Sequence, residues 1–165
     1  MAEATVGDIM RRNVPSLAPG DTIGDIARRL TDAGVPGLPV VDNGIVVGIV
    51  TEIDLIAREA DISVPTVVPF LDALFVADGG RDFDEDLRHV FAATARELMT
   101  SPVYNIRAHA SIEQIATLMI DQKVNPVPVV NEHNELVGLV CRSDVVTLIG
   151  RLELGDTEES RLTEP

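Results

Sequence analysis

Two aspartates occupy the same chemical setting, each shortly after a hydrophobic run that contains a glycine. Asp54 closes residues 48–54, and Asp144 closes residues 138–144. A carboxylate at the start of a helix can cap free backbone amides, or it can accept hydrogen bonds from ligand hydroxyls while the amides face an anion. One such aspartate is ordinarily a cap. Two at equivalent positions favour a ligand-binding role more strongly than either does alone.

The two aspartates belong to an internal duplication. Residues 8–10 (Asp-Ile-Met) and 97–99 (Glu-Leu-Met) are 89 positions apart, and the same spacing relates residues 38–41 to 127–130. The spacing becomes 90 at Gly48 and Gly138, so one residue is inserted in the second copy's turn. Loops tolerate insertions, and a match over about fifty positions with a single insertion indicates two structural repeats.

Each copy predicts a strand, a helix, two strands and a second helix, which is an α/β order. Thr22 with Asp25, and Ser111 with Gln114, have the spacing of a helix N-cap and its reciprocal partner. The two hydrophobic runs of each copy are almost continuously apolar, which predicts strands covered on both faces. Asn43-Gly44 suits a tight hairpin turn. Terminal helices are predicted over about residues 52–60 and 142–149.

The domain boundaries follow from these elements. Residues 1–60 form the first repeat, 61–94 a connector, 95–150 the second repeat, and 151–165 an acidic, frayed tail. From residue 84 onward the connector carries apolar residues on one helical face, which predicts an amphipathic helix running into the second repeat. Four of the five aromatic residues lie within residues 70–91. This concentration favours packing, including packing at a subunit interface.

The composition excludes several classes of partner and chemistry. The 165 residues carry a formal net charge of −14, which opposes binding to nucleic acid and anionic lipid. One cysteine excludes an intrachain disulfide and a multi-thiolate metal site, and the three histidines show no metal-ligand spacing. Neither a signal peptide nor a membrane span is evident, so we expect a soluble cytoplasmic protein. No nucleophile with a base and no glycine-rich phosphate loop predicts an enzyme.

The order Asp-Ile-Met, hydrophobic-Pro-Val-Val, turn and Gly-x-x-Thr-x-x-Asp closely resembles the cystathionine beta-synthase (CBS) domain over residues 6–60 and 95–150. Two such domains form a Bateman module, and the connector is similar to that of bacterial stand-alone pairs. The resemblance implies two pseudo-symmetric repeats packed through their sheets. It further implies two clefts that hold adenosine-containing ligands such as AMP, ADP, ATP or S-adenosylmethionine, and a homodimer.

The resemblance also implies which residues line the clefts, with each cleft mixing residues of both repeats. Ribose hydroxyls would bind Asp54 and Asp144. The family places hydroxyl side chains at two positions before that aspartate, and each copy here keeps only one, Thr51 in the first and Ser143 in the second. Ile53 and Cys141 stand at the other positions, so the two sites should be inequivalent. The remaining candidates are Arg142 for a phosphate, and, near the adenine, Ser16, Val35, Pro36, Gly37, Asn105, Val124, Asn125 and Pro126.

Other interpretations of the same residues remain open. Thr51 can be an ordinary β-branched strand residue, and Cys141 is better explained as a small core residue than as a redox switch. At the level of function, the leading hypothesis is a non-catalytic sensor that binds an adenosyl ligand and signals through a homodimer to an unidentified protein target. The alternative is a ligand-independent dimeric scaffold. Metal sensing by acidic side chains rests on composition alone.

Overall fold

A computed structural model describes residues 4–59, 67–70, 73–76 and 94–161. The elements of the first repeat are α1 (Val6–Ile9), α2 (Ile23–Ala33), β1 (Gly37–Asp42), β2 (Ile45–Thr51) and α3 (Glu52–Glu59). The connector contributes β3 (Val67–Phe70) and β4 (Ala73–Val76). The second repeat contains α4 (Ala95–Leu98), α5 (Ile112–Asp121), β5 (Val127–Val130), β6 (Leu136–Val140) and α6 (Arg142–Arg161). The mixed α+β architecture confirms the predicted fold class.

The strand hairpin is the part of each repeat that the sequence predicts most closely. β1 pairs with β2, and β5 with β6, both antiparallel, and the register shifts at the same place in each copy, at Val40/Val41 and Val129/Val130. Asn43 and Gly44 have φ of 50° and 83°, as the predicted tight turn requires. A third two-stranded sheet, β3 with β4, lies in the connector.

The predicted first strand of each repeat is shorter than expected. It consists of a single bridging residue, Leu17 beside Val40 and Ile106 beside Val129, in parallel orientation. The Leu17 amide donates to the Pro39 carbonyl, and the Val41 amide donates to the Leu17 carbonyl. Pro39 has no amide hydrogen, so the ladder cannot continue through it. The extended segments are nevertheless anchored at the predicted place.

The helix caps are confirmed in both copies. The Thr22 hydroxyl accepts from the Asp25 amide, and the Ser111 hydroxyl accepts from the Gln114 amide. In the second copy the Gln114 side chain also accepts from the Ser111 amide. In the first copy the Asp25 side chain accepts from the Thr22 hydroxyl. The apolar stripes behind these caps are buried, with Ile26 and Ile115 fully inaccessible. Each long helix therefore covers its own repeat's sheet with one face.

The opening helix of each repeat packs on the other repeat. The amides of Val6 and Gly7 in α1 donate to carbonyls at Ala110 and Ala108, and the equivalent amides at the start of α4 donate to carbonyls of residues 19 and 21. The side chain of Met10 covers Gly138, where a Cβ atom would lie 2.6 Å from the Met10 sulfur. Each of the two hydrophobic cores is consequently completed by residues of the opposite repeat.

Two predicted helix boundaries were wrong. α6 continues to Arg161 instead of ending near residue 149, so residues 151–161 are helical and not irregular. Gly150 meets no atom within 4 Å, and a glycine at such a position weakens a helix by only about 1 kcal/mol. Thr94 is extended (φ −131°, ψ 163°), so no continuous helix runs from the connector through α4. The predicted helix over residues 84–93 and the packing of the connector's aromatic side chains lie outside the described residues.

Candidate ligand-binding clefts

A cleft of about 260 Å³ opens between the two repeats. Its walls come from the end of the first repeat's sheet on one side and from two segments of the second repeat on the other. We call it the first cleft. Its lining residues are Ile49, Thr51, Ile53, Thr100, Pro102, Val103, Tyr104, Lys123, Val124, Asn125 and Pro126.

Backbone pairing between the repeats positions the walls of the first cleft. The Thr100 amide donates to the Ile49 carbonyl at 2.9 Å, and the Ile49 amide donates back to the Thr100 carbonyl at 3.2 Å. At the other wall Gly37 allows β1 to approach β5, because a Cβ atom there would lie 2.7 Å from the Pro126 ring. Gly37 and Pro126 are equivalent positions of the two repeats, so this contact lies where the repeats meet.

The lining of the first cleft is mainly apolar, with polar groups at a few places. Aliphatic side chains and the half-exposed ring of Tyr104 offer a surface for a flat, weakly polar group. The Thr51 and Thr100 hydroxyls and the Asn125 amide supply hydrogen-bonding groups, and Lys123 supplies a cation. Such a combination is typical of small-molecule sites, and the volume is close to the lower end of their usual range of about 300–1,000 Å³.

Asp54 is buried beside the first cleft and caps a helix. Its side chain accepts from the Thr51 amide at 2.7 Å and from the Thr51 hydroxyl at 2.9 Å, and the residue is only 7% exposed. The carboxylate therefore holds the Thr51 side chain in a fixed orientation at the start of α3. The Thr51 oxygen, whose hydrogen is donated to Asp54, keeps lone pairs with which to accept from a ligand.

The pseudo-symmetric position, at the end of the second repeat's sheet, is arranged differently, and we call it the second cleft. Arg11 takes the place of Thr100, and its backbone pairs with Leu139 as Thr100 pairs with Ile49. The Arg11 Nε lies 3.0 and 3.1 Å from the two carboxylate oxygens of Asp144, and its Nη2 lies 2.9 Å from Asp144 Oδ1. The same Nη2 donates to the Ser143 hydroxyl at 3.1 Å. Arg11 therefore engages Asp144 and Ser143, two of the polar side chains that were expected to bind a ligand.

Cys141 lies beneath this group of charged side chains. It is 2% exposed, its amide donates to Asp144 at 2.8 Å, and burial raises the pKa of its thiol to about 11. A thiol with so high a pKa is protonated at neutral pH and unreactive, as the core-residue interpretation of Cys141 predicts. The hydrogen bond to Asp144 is the main cause that raises the pKa of Arg11.

The other predicted site residues are distributed unevenly. Val124, Asn125, Pro126 and Thr51 line the first cleft as expected, and Ile53 lines it as well. Asn105 is exposed, and its neighbour Tyr104 is the residue that lines the cleft.

Of the other residues expected near the adenine, Val35 and Gly37 are buried. The Pro36 carbonyl accepts from the Glu52 amide, and the Ser16 carbonyl accepts from Arg29. The Arg142 side chain is exposed, whereas its amide donates to Asn125 Oδ1 at 2.9 Å.

Sequence reasoning missed several residues of both clefts. These are Arg11, Ile49, Thr100, Pro102, Val103, Tyr104 and Lys123. Arg11 and Thr100 directly follow the repeated Met10 and Met99, so the duplication carried a usable signal. That signal becomes interpretable only when the opening segments are known to cross to the opposite repeat.

The residues that the structure describes contain neither a cluster of metal ligands nor a membrane-spanning helix. Among them, no group of three or more His, Cys, Asp or Glu side chains could hold a metal ion. Nor is any helix in the described ranges long and apolar enough to cross a bilayer.

The duplicated α+β repeats with clefts between them define a class of paired modules, and sequence comparison identifies its family. The family model for the CBS domain matches residues 6–61 and 95–151. The chain belongs to the CBS domain family and contains a tandem pair of these domains.

Individual relatives are distant. The uncharacterized protein MK0525 of Methanopyrus kandleri is 24% identical over 88% of this chain, and CBSX2, a chloroplastic CBS domain-containing protein of Arabidopsis thaliana, is 28% identical over 86%. The chain spans 63% and 62% of the lengths of these two relatives.

Solved structures show the same fold. The crystal structure of CBSX2 in complex with AMP has a TM-score of 0.73 at 24% identity, covering 89% of this chain and 97% of that chain. The CBS pair of MJ0100, in complex with 5'-methylthioadenosine and S-adenosyl-L-methionine, has a TM-score of 0.65 at 23% identity, covering 90% and 98%.

Proposed function

We propose that this chain is a non-catalytic, cytoplasmic regulatory module that binds an adenosine-containing ligand in the first cleft. The observation that carries the proposal is the open cleft between the repeats, which combines the close of the first repeat with residues 123–126 of the second. In this arrangement the ligand's position is sensitive to how the two repeats sit against each other. Binding would therefore favour one arrangement of the repeats over others.

The chemistry of the lining supports a nucleoside ligand. The base would lie against Val124 and Pro126 with the Tyr104 ring nearby, because these side chains offer apolar and aromatic surface. The ribose would lie toward Thr51 and Asp54 at the start of α3. Lys123 would attract a phosphate. CBS pairs in complex with AMP and with S-adenosyl-L-methionine are known among structures of the same fold, which supports the ligand class.

Thermal unfolding with AMP, ADP, ATP and S-adenosylmethionine tests the proposal. A ligand that binds only the folded state at 100 times its Kd adds about 2.7 kcal/mol to the unfolding free energy. For a chain of this size, that corresponds to a rise in Tm of roughly 5–11 °C. A rise with at least one ligand is expected. Unchanged melting with all four at millimolar concentration would contradict the proposal.

A matched pair of variants locates the site. Ile53 and Ile56 both lie on α3 and are 71% and 63% exposed, but only Ile53 lines the first cleft. Ile53→Trp fills the cleft without disturbing a core, so the ligand-dependent rise in Tm should be lost. Ile56→Trp should retain it. Equal responses from the two variants would place the ligand elsewhere.

A hydroxyl at position 53 should improve binding. Ile53→Ser restores the second hydroxyl of the family pattern on a side chain that already faces the cleft. One additional hydrogen bond contributes about 1 kcal/mol, or roughly a five-fold decrease in Kd. Isothermal titration calorimetry measures the change, and a weaker affinity than that of the unsubstituted chain would argue against a ligand contact at this position.

We further propose that the module signals as a homodimer. Val146 and Ile149 lie three positions apart on α6, and Ile56 occupies the position of α3 equivalent to Val146. All three side chains are more than half exposed, and soluble proteins usually cover patches of exposed apolar side chains. Sedimentation velocity at micromolar concentration should give a dimer. Val146→Glu should dissociate it, whereas Thr147→Glu, at the next exposed position of α6, should not. A monomeric unsubstituted chain would refute this part of the proposal.

These same exposed side chains are the specific observation that favours the alternative, a ligand-independent scaffold. Its signature is a stable dimer whose clefts are empty. Native mass spectrometry of freshly purified protein separates the two functions, because a co-purifying nucleotide mass contradicts the scaffold. A target protein and a metal-sensing role receive no support from the described residues.

A further inference from the structure

We propose that Arg11 is an internal occupant of the second cleft, so that each chain carries one ligand site and not two. This inference rests on the proposed function for its ligand and on the side-chain geometry for its mechanism. It identifies Arg11 as the residue that determines which of the two pseudo-equivalent clefts is available.

Arg11 covers both carboxylate oxygens of Asp144. The single Arg11 Nε–H is shared between Oδ1 and Oδ2, Arg11 Nη2 lies 2.9 Å from Oδ1, and the Cys141 amide donates to Oδ2. A ligand whose hydroxyls bind this carboxylate must therefore displace the Arg11 guanidinium.

Ser143, the polar residue beside Asp144, is also held by Arg11. Its hydroxyl oxygen accepts from Arg11 Nη2 at 3.1 Å. The guanidinium thus contacts the aspartate and the serine together, in the planar geometry that makes arginine–carboxylate pairs specific. The Asp144 side chain is 15% exposed and that of Arg11 is 37% exposed, so the group is shielded from solvent more than a surface ion pair.

The first cleft has no equivalent of this arginine. Thr100 stands where Arg11 stands, with the same backbone pairing to β2 that Arg11 makes to β6. A threonine cannot reach across the cleft, and Thr100 lines open volume instead. Ile53, the equivalent of Ser143, offers no acceptor. The duplicated fold therefore places a short hydroxyl side chain in one cleft and a long cation in the other.

A double-mutant cycle tests the Arg11 contact without any ligand. Arg11→Met and Asp144→Asn are measured singly and together by thermal unfolding; asparagine keeps an acceptor for the Cys141 amide. We expect each substitution to lower Tm by about 2–4 °C and the double variant to lower it no further than one of them. Arg12→Met, combined with the same Asp144 variant, is the control and should be additive. If the decreases in Tm caused by Arg11→Met and Asp144→Asn add in the double variant, the contact between Arg11 and Asp144 is refuted.

Ligand stoichiometry tests the consequence for binding. Titration calorimetry with AMP should give one site per chain for the unsubstituted protein. Arg11→Thr gives the second cleft the side chain of the first, and it should raise the stoichiometry to two. Thr100→Arg places a guanidinium in the first cleft and should abolish binding. The double variant Arg11→Thr with Thr100→Arg should have one site per chain, located in the second cleft. Adding Ser143→Trp to this double variant should abolish binding, whereas adding Ile53→Trp should not.

Two AMP sites in the unsubstituted chain would overturn the inference that Arg11 occupies the second cleft. A stoichiometry of one in a folded Arg11→Thr variant would overturn it as well. If neither the unsubstituted chain nor the Arg11→Thr variant binds AMP, S-adenosylmethionine is used as the probe instead. Absence of binding for both probes would refute the proposed function, while the melting cycle would still decide whether Arg11 holds Asp144.

Discussion

Substitution of Gly138 by alanine should destabilise the fold through a contact between the repeats. The new Cβ would lie 2.6 Å from Met10 Sδ and 3.0 Å from the Arg11 carbonyl oxygen. Real Cβ atoms do not approach other atoms to 2.6 Å, so the Met10 side chain must move. The Arg11 carbonyl cannot move freely, because it accepts from the Leu139 amide at 3.0 Å.

The magnitude follows from the packing on both sides. Met10 is 9% exposed and belongs to the second repeat's core, so its displacement overpacks that core. Overpacking of this kind costs about 1–3 kcal/mol. For a chain of this length, we expect Tm to fall by roughly 2–12 °C.

Differential scanning calorimetry of Gly138→Ala beside Gly150→Ala is the appropriate assay. Gly150 lies in α6 with no atom within 4 Å of its added Cβ. Alanine there should be neutral or stabilising by about 1 kcal/mol, because it favours the helix. Overpacking at the contact between Gly138 and Met10 would be refuted if Gly138→Ala had the Tm of the unsubstituted chain, or if both alanine substitutions changed Tm equally.

Further outcomes are expected for three residues, Cys141, Ser111 and Ile115. The Cys141 thiol should react slowly with a maleimide at pH 8 in the native chain and rapidly in urea. The pKa of Cys141 is about 11 in the folded chain and 9.0 in the unfolded chain. The stability that the buried thiol contributes is therefore present below pH 9 and is lost as the pH rises toward 11. Denaturant titration should give a lower unfolding free energy at pH 10.5 than at pH 8. Ser111→Ala should lower the unfolding free energy by about 1 kcal/mol through loss of the cap of α5, and retention of full stability would contradict the observed bond. Ile115→Ala should cost about 2–5 kcal/mol, whereas the exposed Ile120→Ala on the same helix should cost under about 0.5 kcal/mol.

Local patterns were sufficient for the elements of each repeat. The caps at Thr22 and Ser111, the apolar stripe of each long helix and the Asn43-Gly44 turn all act over a few residues, so their sequence signals are self-contained. The end of α6 was mispredicted because glycine and acidic residues disfavour a helix only weakly, so the helix continues through them to Arg161. The extended conformation of Thr94 was equally invisible to helical periodicity.

The candidate site was only partly predictable. Residues before β5 and at the close of β2 were found because the duplication marks them, and their place between the repeats followed from the resemblance. Arg11, Thr100 and Tyr104 were missed. They lie in opening segments that pack on the opposite repeat, and no local pattern reports which repeat a segment contacts.

The sequence by itself determined that the chain is a duplicated α+β module with an aspartate at each close and unequal hydroxyls beside it. Only the tertiary structure decided what those aspartates contact. Asp54 holds Thr51 beside an open cleft, whereas Asp144 holds Arg11, a residue 133 positions away. The physical reason is that charge pairing across the repeats depends on the crossed opening segments, whose position is set by long-range packing and not by neighbouring residues.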